Sequence, residues 1–78
     1  MIDEKQQKKI YEEIVKDKNG INYKSVEKRQ IDNMRMVEIV FTVVYYSQMT
    51  KLLDIAKNNN AIFLIEAIES FNVKIILH

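Results

Sequence analysis

The segment that decides the fold spans residues 34–46 and reads MRMVEIVFTVVYY. It is rich in Val, Ile, Phe, Thr and Tyr, which favour extended structure, and it predicts the longest strand of the chain. Residues 21–31 alternate more weakly and predict an exposed, mostly polar strand at a sheet edge, where lysines oppose unwanted pairing. Asp32 and Asn33 between the two segments are turn formers, so we expect the strands to form a hairpin.

The residues before the hairpin predict an amphipathic helix from Asp3 to about Asp17. Asp3 is suited to be the N-cap, and Gln6 follows at the spacing of a capping box. Apolar residues recur at helical spacing in this segment: Ile10, Tyr11, Ile14 and Val15. Asn19 and Gly20 come next, and glycine readily takes the positive φ with which many helices end. We therefore expect the helix to stop at Gly20.

A second amphipathic helix is expected after the hairpin. Ser47 is a natural N-cap, and the apolar residues behind it recur at helical spacing: Met49, Leu52, Leu53 and Ala56. Three asparagines at 58–60 are expected to end this helix, because Asn tolerates the left-handed conformation. Residues 61–69 and 73–78 then predict two more strands, joined by a tight connection at 70–72.

The element order is helix, strand, strand, helix, strand, strand, in a single small domain that covers residues 1–78. Two helices can cover one face of a four-stranded, mostly antiparallel sheet, so the expected fold is an α+β two-layer sandwich. This order, α-β-β-α-β-β, is that of a ferredoxin-like fold whose first strand has moved to the end. The last strand is then expected either in the central position of that missing strand or at a sheet edge, and the pattern fits both.

Composition excludes several classes of function. The chain has 78 residues with no Cys, one Gly, one His and a net charge of +1. Without Cys there is no disulfide, thiol nucleophile or cysteine zinc site, and a single Gly excludes a Gly-rich phosphate loop. The balanced charge gives no reason to expect a nucleic-acid partner. No apolar run approaches the roughly 20 residues that span a bilayer, and the first residues are polar, so we expect a cytoplasmic location.

The side chains that could carry chemistry are scattered. His78 is the last residue, where a solvated tail is the expected state. Glu38 and Glu66 each interrupt an apolar run, and they could mark a polar ligand pocket or pair with lysines. Four basic residues cluster around the first hairpin, but acidic residues lie among them: Lys24, Lys28, Arg29 and Arg35. We expect no catalytic, cofactor-binding or metal-binding residues, and hence no enzyme.

The main functional expectation concerns the sheet face that the helices leave uncovered. The strand predicted over 34–46 is apolar on both faces, whereas a sheet with one wet face normally alternates apolar and polar residues. A contiguous apolar patch of this kind marks an interaction surface. We expect a homodimer packed sheet to sheet, with a groove for a small ligand as the alternative. The expected contact residues are Val40, Thr42, Val44, Tyr46, Leu64 and Glu66.

The chain also resembles a known domain between Ile39 and Val73. A hydrophobic strand is followed by a polar turn that opens a helix with Leu and Ile on one face, an asparagine turn at 58–60, and an apolar strand from Ala61. In this pattern it is similar to a bacterial domain of unknown function that forms the cytosolic C-terminal part of YitT-type membrane proteins. Residues 19–22 stand where that family has an Arg-Gly-hydrophobic-Thr turn, but its Gly-rich stretch between the first two strands is absent.

This resemblance implies a ferredoxin-like domain without known catalysis and an association with a membrane protein, and it supplies no site residue. Together with the apolar sheet face, it predicts a non-enzymatic, self-associating accessory or sensor domain that takes no cofactor. The alternative is a regulatory domain that binds a small metabolite or a nucleotide.

Overall fold

The computed structural model describes residues 1–17, 20–69 and 71–78. Asn19 and Ser70, which the sequence places in turns, lie outside the described residues. The helices are α1 (Glu4–Lys16) and α2 (Tyr46–Asn58), and the strands are β1 (Ser25–Ile31), β2 (Met34–Phe41), β3 (Phe63–Glu69) and β4 (Asn72–Leu77).

The strands form one sheet in the order β1-β2-β4-β3, and every neighbouring pair is antiparallel. The predicted α+β class and four-stranded antiparallel sheet are therefore confirmed. The last strand, β4, lies in the centre of the sheet between β2 and β3, which decides between the two positions that the sequence left open. As a consequence β3 is an edge strand.

Helix α1 begins as predicted. The Asp3 carboxylate accepts a hydrogen bond from the backbone N–H of Gln6 at 2.7 Å, and the Gln6 side-chain oxygen accepts one from the backbone N–H of Asp3 at 2.8 Å. This reciprocal pair is a complete capping box. Ile10 and Ile14 are fully buried one turn apart, as the helical spacing predicts.

Gly20, which follows α1, was expected to have a positive φ. The φ angle of Gly20 is not positive, so this prediction is wrong. A Cβ atom at Gly20 would lie against the Lys51 ammonium and 2.6 Å from the Asp17 carboxylate, so a larger residue there would displace the ends of these two flexible side chains. Lys51 and Asp17 form an ion pair of 3.1 Å, which links the end of α1 to α2 across this glycine.

Strand β2 ends at Phe41 and not at Tyr46 as predicted. Its last partners are Ser25 on β1, opposite Val40, and Val73 on β4, opposite Phe41. Among the described residues, neither β1 nor β4 forms a ladder pair with the chain beyond Phe41, so the strong strand propensity of the next residues is overridden. The other strands differ less from prediction, with β1 and β3 beginning later and β4 one residue earlier.

Helix α2 begins at Tyr46 with Tyr45 as N-cap, and no side chain caps it. The prediction that Ser47 is the N-cap is therefore wrong, because the early end of β2 allows the helix to start one residue before it. The predicted end of α2 is confirmed, since Asn60 has a positive φ of 55°.

One hydrophobic cluster joins both helices to β2 and β4. Its main members are Ile10 and Ile14 of α1, Leu52 and Ala56 of α2, Val37, Ile39 and Phe41 of β2, and Ile75 and Leu77 of β4. The strand members are all odd-numbered and therefore share one face, because side chains alternate along a strand. We call this the cluster face. The opposite, second face carries the even-numbered residues of β2, β3 and β4 and the odd-numbered residues of β1.

Candidate functional site

Three of the six predicted contact residues lie on the second face of the sheet. Val40 belongs to β2, and Leu64 and Glu66 belong to β3. In the register, Leu64 is opposite Ile76 and Glu66 is opposite Lys74, both on β4. Cross-strand neighbours share a face, so these residues form a surface that crosses the central strand.

The other three predicted contact residues lie outside that surface. Thr42 and Val44 follow the end of β2, and Tyr46 opens α2. Val44 packs against the hydrophobic cluster, whereas the Tyr46 side chain is 86% exposed. The prediction that these three residues lie on the same sheet face as Val40 is wrong. They would lie there only if β2 continued for five more residues, to Tyr46.

The middle of the second face is charged. Glu38 is only 7% exposed, and its carboxylate accepts a hydrogen bond from the Arg29 guanidinium at 3.0 Å and lies 3.6 Å from the Lys74 ammonium. Of the two interpretations of Glu38, the ion pair is the one observed. A second copy packed face to face would have to remove water from these three charges, which is costly unless every charge keeps its partners.

Strand β3 is an apolar sheet edge. Residues 63–67 read FLIEA, with Glu66 as the one charge, and both Leu64 and Ile65 are about half exposed. In the part of the chain that the structure describes, only β4 pairs with β3. An edge that offers unpaired backbone groups beside exposed apolar side chains is a template for another strand. We call residues 62–67, on the side away from β4, the β3 edge.

The hydrogen-bond pattern identifies the backbone groups that the β3 edge offers. The N–H of Ile62 donates to the carbonyl of His78 at 2.7 Å, and the N–H of His78 donates back to Ile62 at 3.0 Å. His78, expected to be a solvated tail, thus has its backbone in the ladder. Bonded pairs alternate along an antiparallel ladder, so Leu64 and Glu66 also direct their backbone groups toward β4.

A second candidate site is a cavity of about 350 Å³ beside the start of α2. Residues that precede β1 and residues that follow β2 line it: Asn22, Tyr23, Lys24, Thr42, Val43 and Tyr45. The sequence did not predict this site, because residues 42–45 were assigned to the strand. In the sequence, the only indication of such a site was the presence of Tyr23, Lys24 and Tyr45, whose side chains can stack on a ring or pair with an acidic group.

No arrangement in the described ranges suggests a metal centre, since no group of three or more His, Asp or Glu side chains is placed to hold an ion. Neither α1 nor α2, the helices that the described residues form, is long and apolar enough to cross a bilayer.

Comparison with known proteins identifies no relative: no family model matches the chain, and no match is found among curated proteins or among solved structures. The resemblance to the YitT-type domain therefore stays a prediction. The candidate sites that the chain itself offers are the β3 edge and the cavity beside α2.

Proposed function

We propose that this chain is a non-enzymatic, self-associating accessory or sensor domain, and that it acts by bringing together two copies of itself. The observation that carries the proposal is the apolar, half-exposed β3 edge. Natural proteins normally protect an edge strand with charges, proline or a covering element. A domain of 78 residues also has a thin core, so a second copy would add burial that the single chain lacks.

The proposal includes a ferredoxin-like fold in the permuted order α-β-β-α-β-β, with both helices on one sheet face. The order β1-β2-β4-β3 with all pairs antiparallel supports it, because β2 and β3 are then parallel strands flanking β4 and α2 connects them. The shared cluster of both helices with the odd-numbered residues of β2 and β4 supports the one-sided arrangement.

The wider biological setting rests on the sequence. The resemblance to a cytosolic bacterial domain and a sequence of 78 residues without Cys support a cytoplasmic location, with a membrane protein as the larger partner. Nucleic acid is not part of the proposal. Two of the basic residues of the first hairpin are engaged within the chain, since Arg29 pairs with Glu38 and the Lys28 ammonium lies 5.1 Å from the Tyr11 ring centroid.

Light scattering coupled to size-exclusion chromatography tests self-association. At tens of micromolar, the proposal predicts a mass that rises toward twice the 9.3 kDa of one chain. A mass that stays at 9.3 kDa over this range would refute the proposed function.

The cavity beside α2 favours a second candidate function, the binding of a small metabolite or a nucleotide. Its volume of about 350 Å³ falls within the range of small-molecule pockets. Tyr23 and Tyr45 offer rings on which a base could stack, and Lys24 offers a charge for an acidic group. Helix α2 begins at the same place without a side-chain cap, and an uncapped helix N-terminus favours anions.

A thermal-shift screen with nucleotides and amino acids tests this second candidate. A ligand present at 100 times its dissociation constant adds about 2.7 kcal/mol to the free energy of unfolding. The variant Tyr45→Ala should lose that gain, whereas Tyr46→Ala, an exposed tyrosine outside the cavity lining, should retain it. The absence of any shift across the panel would count against this function.

A further inference from the structure

We propose that two copies join edge to edge through β3, in antiparallel orientation, and so form a continuous eight-stranded sheet. This inference rests on the proposed self-association and specifies its surface. The occupant of the β3 edge is a second copy of the same chain, because the edge is complementary to itself in one register.

The backbone groups set the possible registers. Because Leu64 and Glu66 bond toward β4, the N–H and C=O groups of Phe63, Ile65 and Ala67 point away from the sheet. The ladder with β4 becomes irregular between Ala67 and Glu69, so the regular edge ends at Ala67. The edge therefore offers three consecutive outward residues, each with one donor and one acceptor.

One register uses all three outward residues. If the two-fold axis passes beside Ile65, then Ile65 pairs with Ile65 of the second copy and Phe63 pairs with Ala67 in both directions. Shifting the axis to Leu64 would pair Ala67 with Ala61, whose N–H already donates to Ala56 at 2.8 Å. Shifting it to Glu66 would place two carboxylates opposite each other, which is unfavourable.

The same register brings apolar side chains together on the cluster face. Ile65 lies on that face and is 49% exposed. Leu53 of α2 is 46% exposed, although its helical spacing predicted burial with Leu52. With the two-fold axis perpendicular to the sheet, the helices of both copies lie on one side, so Ile65 and Leu53 can be covered together.

The position of Leu53 on α2 supports this contact. The side of α2 that faces α1 is marked by Lys51, which pairs with Asp17, and by Asn59, which donates to Glu13 at 3.1 Å. Leu53 lies two positions after Lys51, about 200° around the helix, and so faces away from α1. α1 packs on β1 and β2 and contacts α2, so the proposal places the far side of α2 toward β3.

The size of the interface also requires a contact beyond the strands. Pairing of the two β3 backbones alone would bury less than the roughly 800 Å² per partner of a stable interface, and a contact at Leu53 enlarges the buried area.

Cysteine cross-linking provides a direct test, because the chain contains no Cys. In the proposed register the two Ile65 Cα atoms form a bonded pair about 5.5 Å apart, within the range that a disulfide bridges. Under mild oxidation at micromolar concentration, Ile65→Cys should give a covalent dimer as its main product. Ile31→Cys is the matched control, since Ile31 is 50% exposed on the opposite edge, and it should cross-link at least about tenfold more slowly. Equal cross-linking of the two variants would overturn the inference.

A substitution with lysine separates this inference from the proposed function. Ile65→Lys should raise the dissociation constant of the dimer at least about 30-fold, as loss of a central contact does, while Ile31→Lys leaves it unchanged. If the unsubstituted chain is a dimer and Ile65→Lys remains one, the edge inference fails and self-association stands. If the unsubstituted chain is a monomer, both fail. Should Ile65→Lys not fold, as judged by circular dichroism, the cross-linking result decides.

Discussion

The two edge strands of this sheet, β1 and β3, have the same length of seven residues but opposite chemistry. Strand β1 carries Glu27, Lys28 and Arg29 in succession, whereas residues 63–67 of β3 contain one charge. Exposure does not separate the edges, because Ile31 on β1 and Ile65 on β3 are 50% and 49% exposed. The two edges differ in the charges beside them: a new strand would have to desolvate three consecutive charges on β1 but only Glu66 over residues 63–67 of β3. Strand β1 is thus the protected edge, and the apolar surroundings of β3 support the proposal that β3 is the edge that associates.

The largest effect is expected from removing the protection of β1. In the double variant Glu27→Val, Lys28→Val only Arg29 remains of the three consecutive charges of β1, so each copy can bind two others and the assembly no longer closes at the dimer. Light scattering should show masses well above twice 9.3 kDa that grow with concentration. The matched variant Glu27→Gln, Lys28→Gln keeps β1 polar and should remain dimeric. If the valine variant also stays dimeric, charge is not what protects β1.

The next largest effect is expected on the free energy of unfolding, when one core side chain is shortened on each edge strand. Phe63 on β3 and Val26 on β1 are both partly buried against the hydrophobic cluster. Phe63→Ala should lower the free energy of unfolding by about 3 kcal/mol and Val26→Ala by about 1 kcal/mol, because a larger apolar side chain is removed from β3. Urea unfolding at a concentration where both variants are monomeric measures the difference. Equal losses would show that β3 is anchored no more strongly than β1.

A smaller effect is expected from the ion pairs that tie β1 to the centre of the sheet. Glu38→Gln removes the charge shared by Arg29 and Lys74 and should cost about 1–2 kcal/mol of the free energy of unfolding. Glu27→Gln is the control, because exposed Glu27 lies directly opposite Glu38 on β1, and its effect should stay within about 0.5 kcal/mol. Urea unfolding of both variants checks this, and a neutral Glu38→Gln would mean that the cluster adds nothing to the sheet.

The smallest effect concerns salt. An interface built on β3 brings together few charges, so raising the ionic strength from 0.05 to 0.5 M should change the dissociation constant of the dimer by less than about threefold. Sedimentation equilibrium at the two salt concentrations measures it. A steep loss of dimer at high salt would instead point to an interface on the charged β1 side.

Local signals in the sequence were sufficient for the parts of the fold that depend on neighbouring residues. The capping box of Asp3 and Gln6 and the positive φ of Asn60 followed from residue type and spacing. The end of β2 at Phe41 could not be predicted, because it depends on where β1 and β4 stop supplying partners. Gly20 was placed in a turn correctly, but it lacks the expected positive φ, and the side-chain ends of Lys51 and Asp17 that lie beside it are brought there by tertiary structure.

The candidate site was also predictable only in part, because part of it depends on which strands are neighbours in the sheet. Leu64 and Glu66 were selected from alternation along β3, and they lie beside the edge that we propose as the interface. Ile65 was not among the predicted contact residues, because parity gives the face of a side chain but not how far the helices cover that face. That β3 lies at an edge follows from β4 taking the centre of the sheet, and the half exposure of Leu53 was not expected from its helical spacing.

Amide hydrogen exchange on the unsubstituted chain tests the central claim most directly, because it reads single backbone groups at both edges. Raising the protein concentration through the dimer transition should slow exchange at Phe63, Ile65 and Ala67 by at least about tenfold. Leu64 and Glu66 should be protected at all concentrations, since they bond to β4, and the outward amides of β1 should not respond. If the β3 amides exchange at a rate independent of concentration while the mass doubles, the dimer does not form through β3 and the account is contradicted.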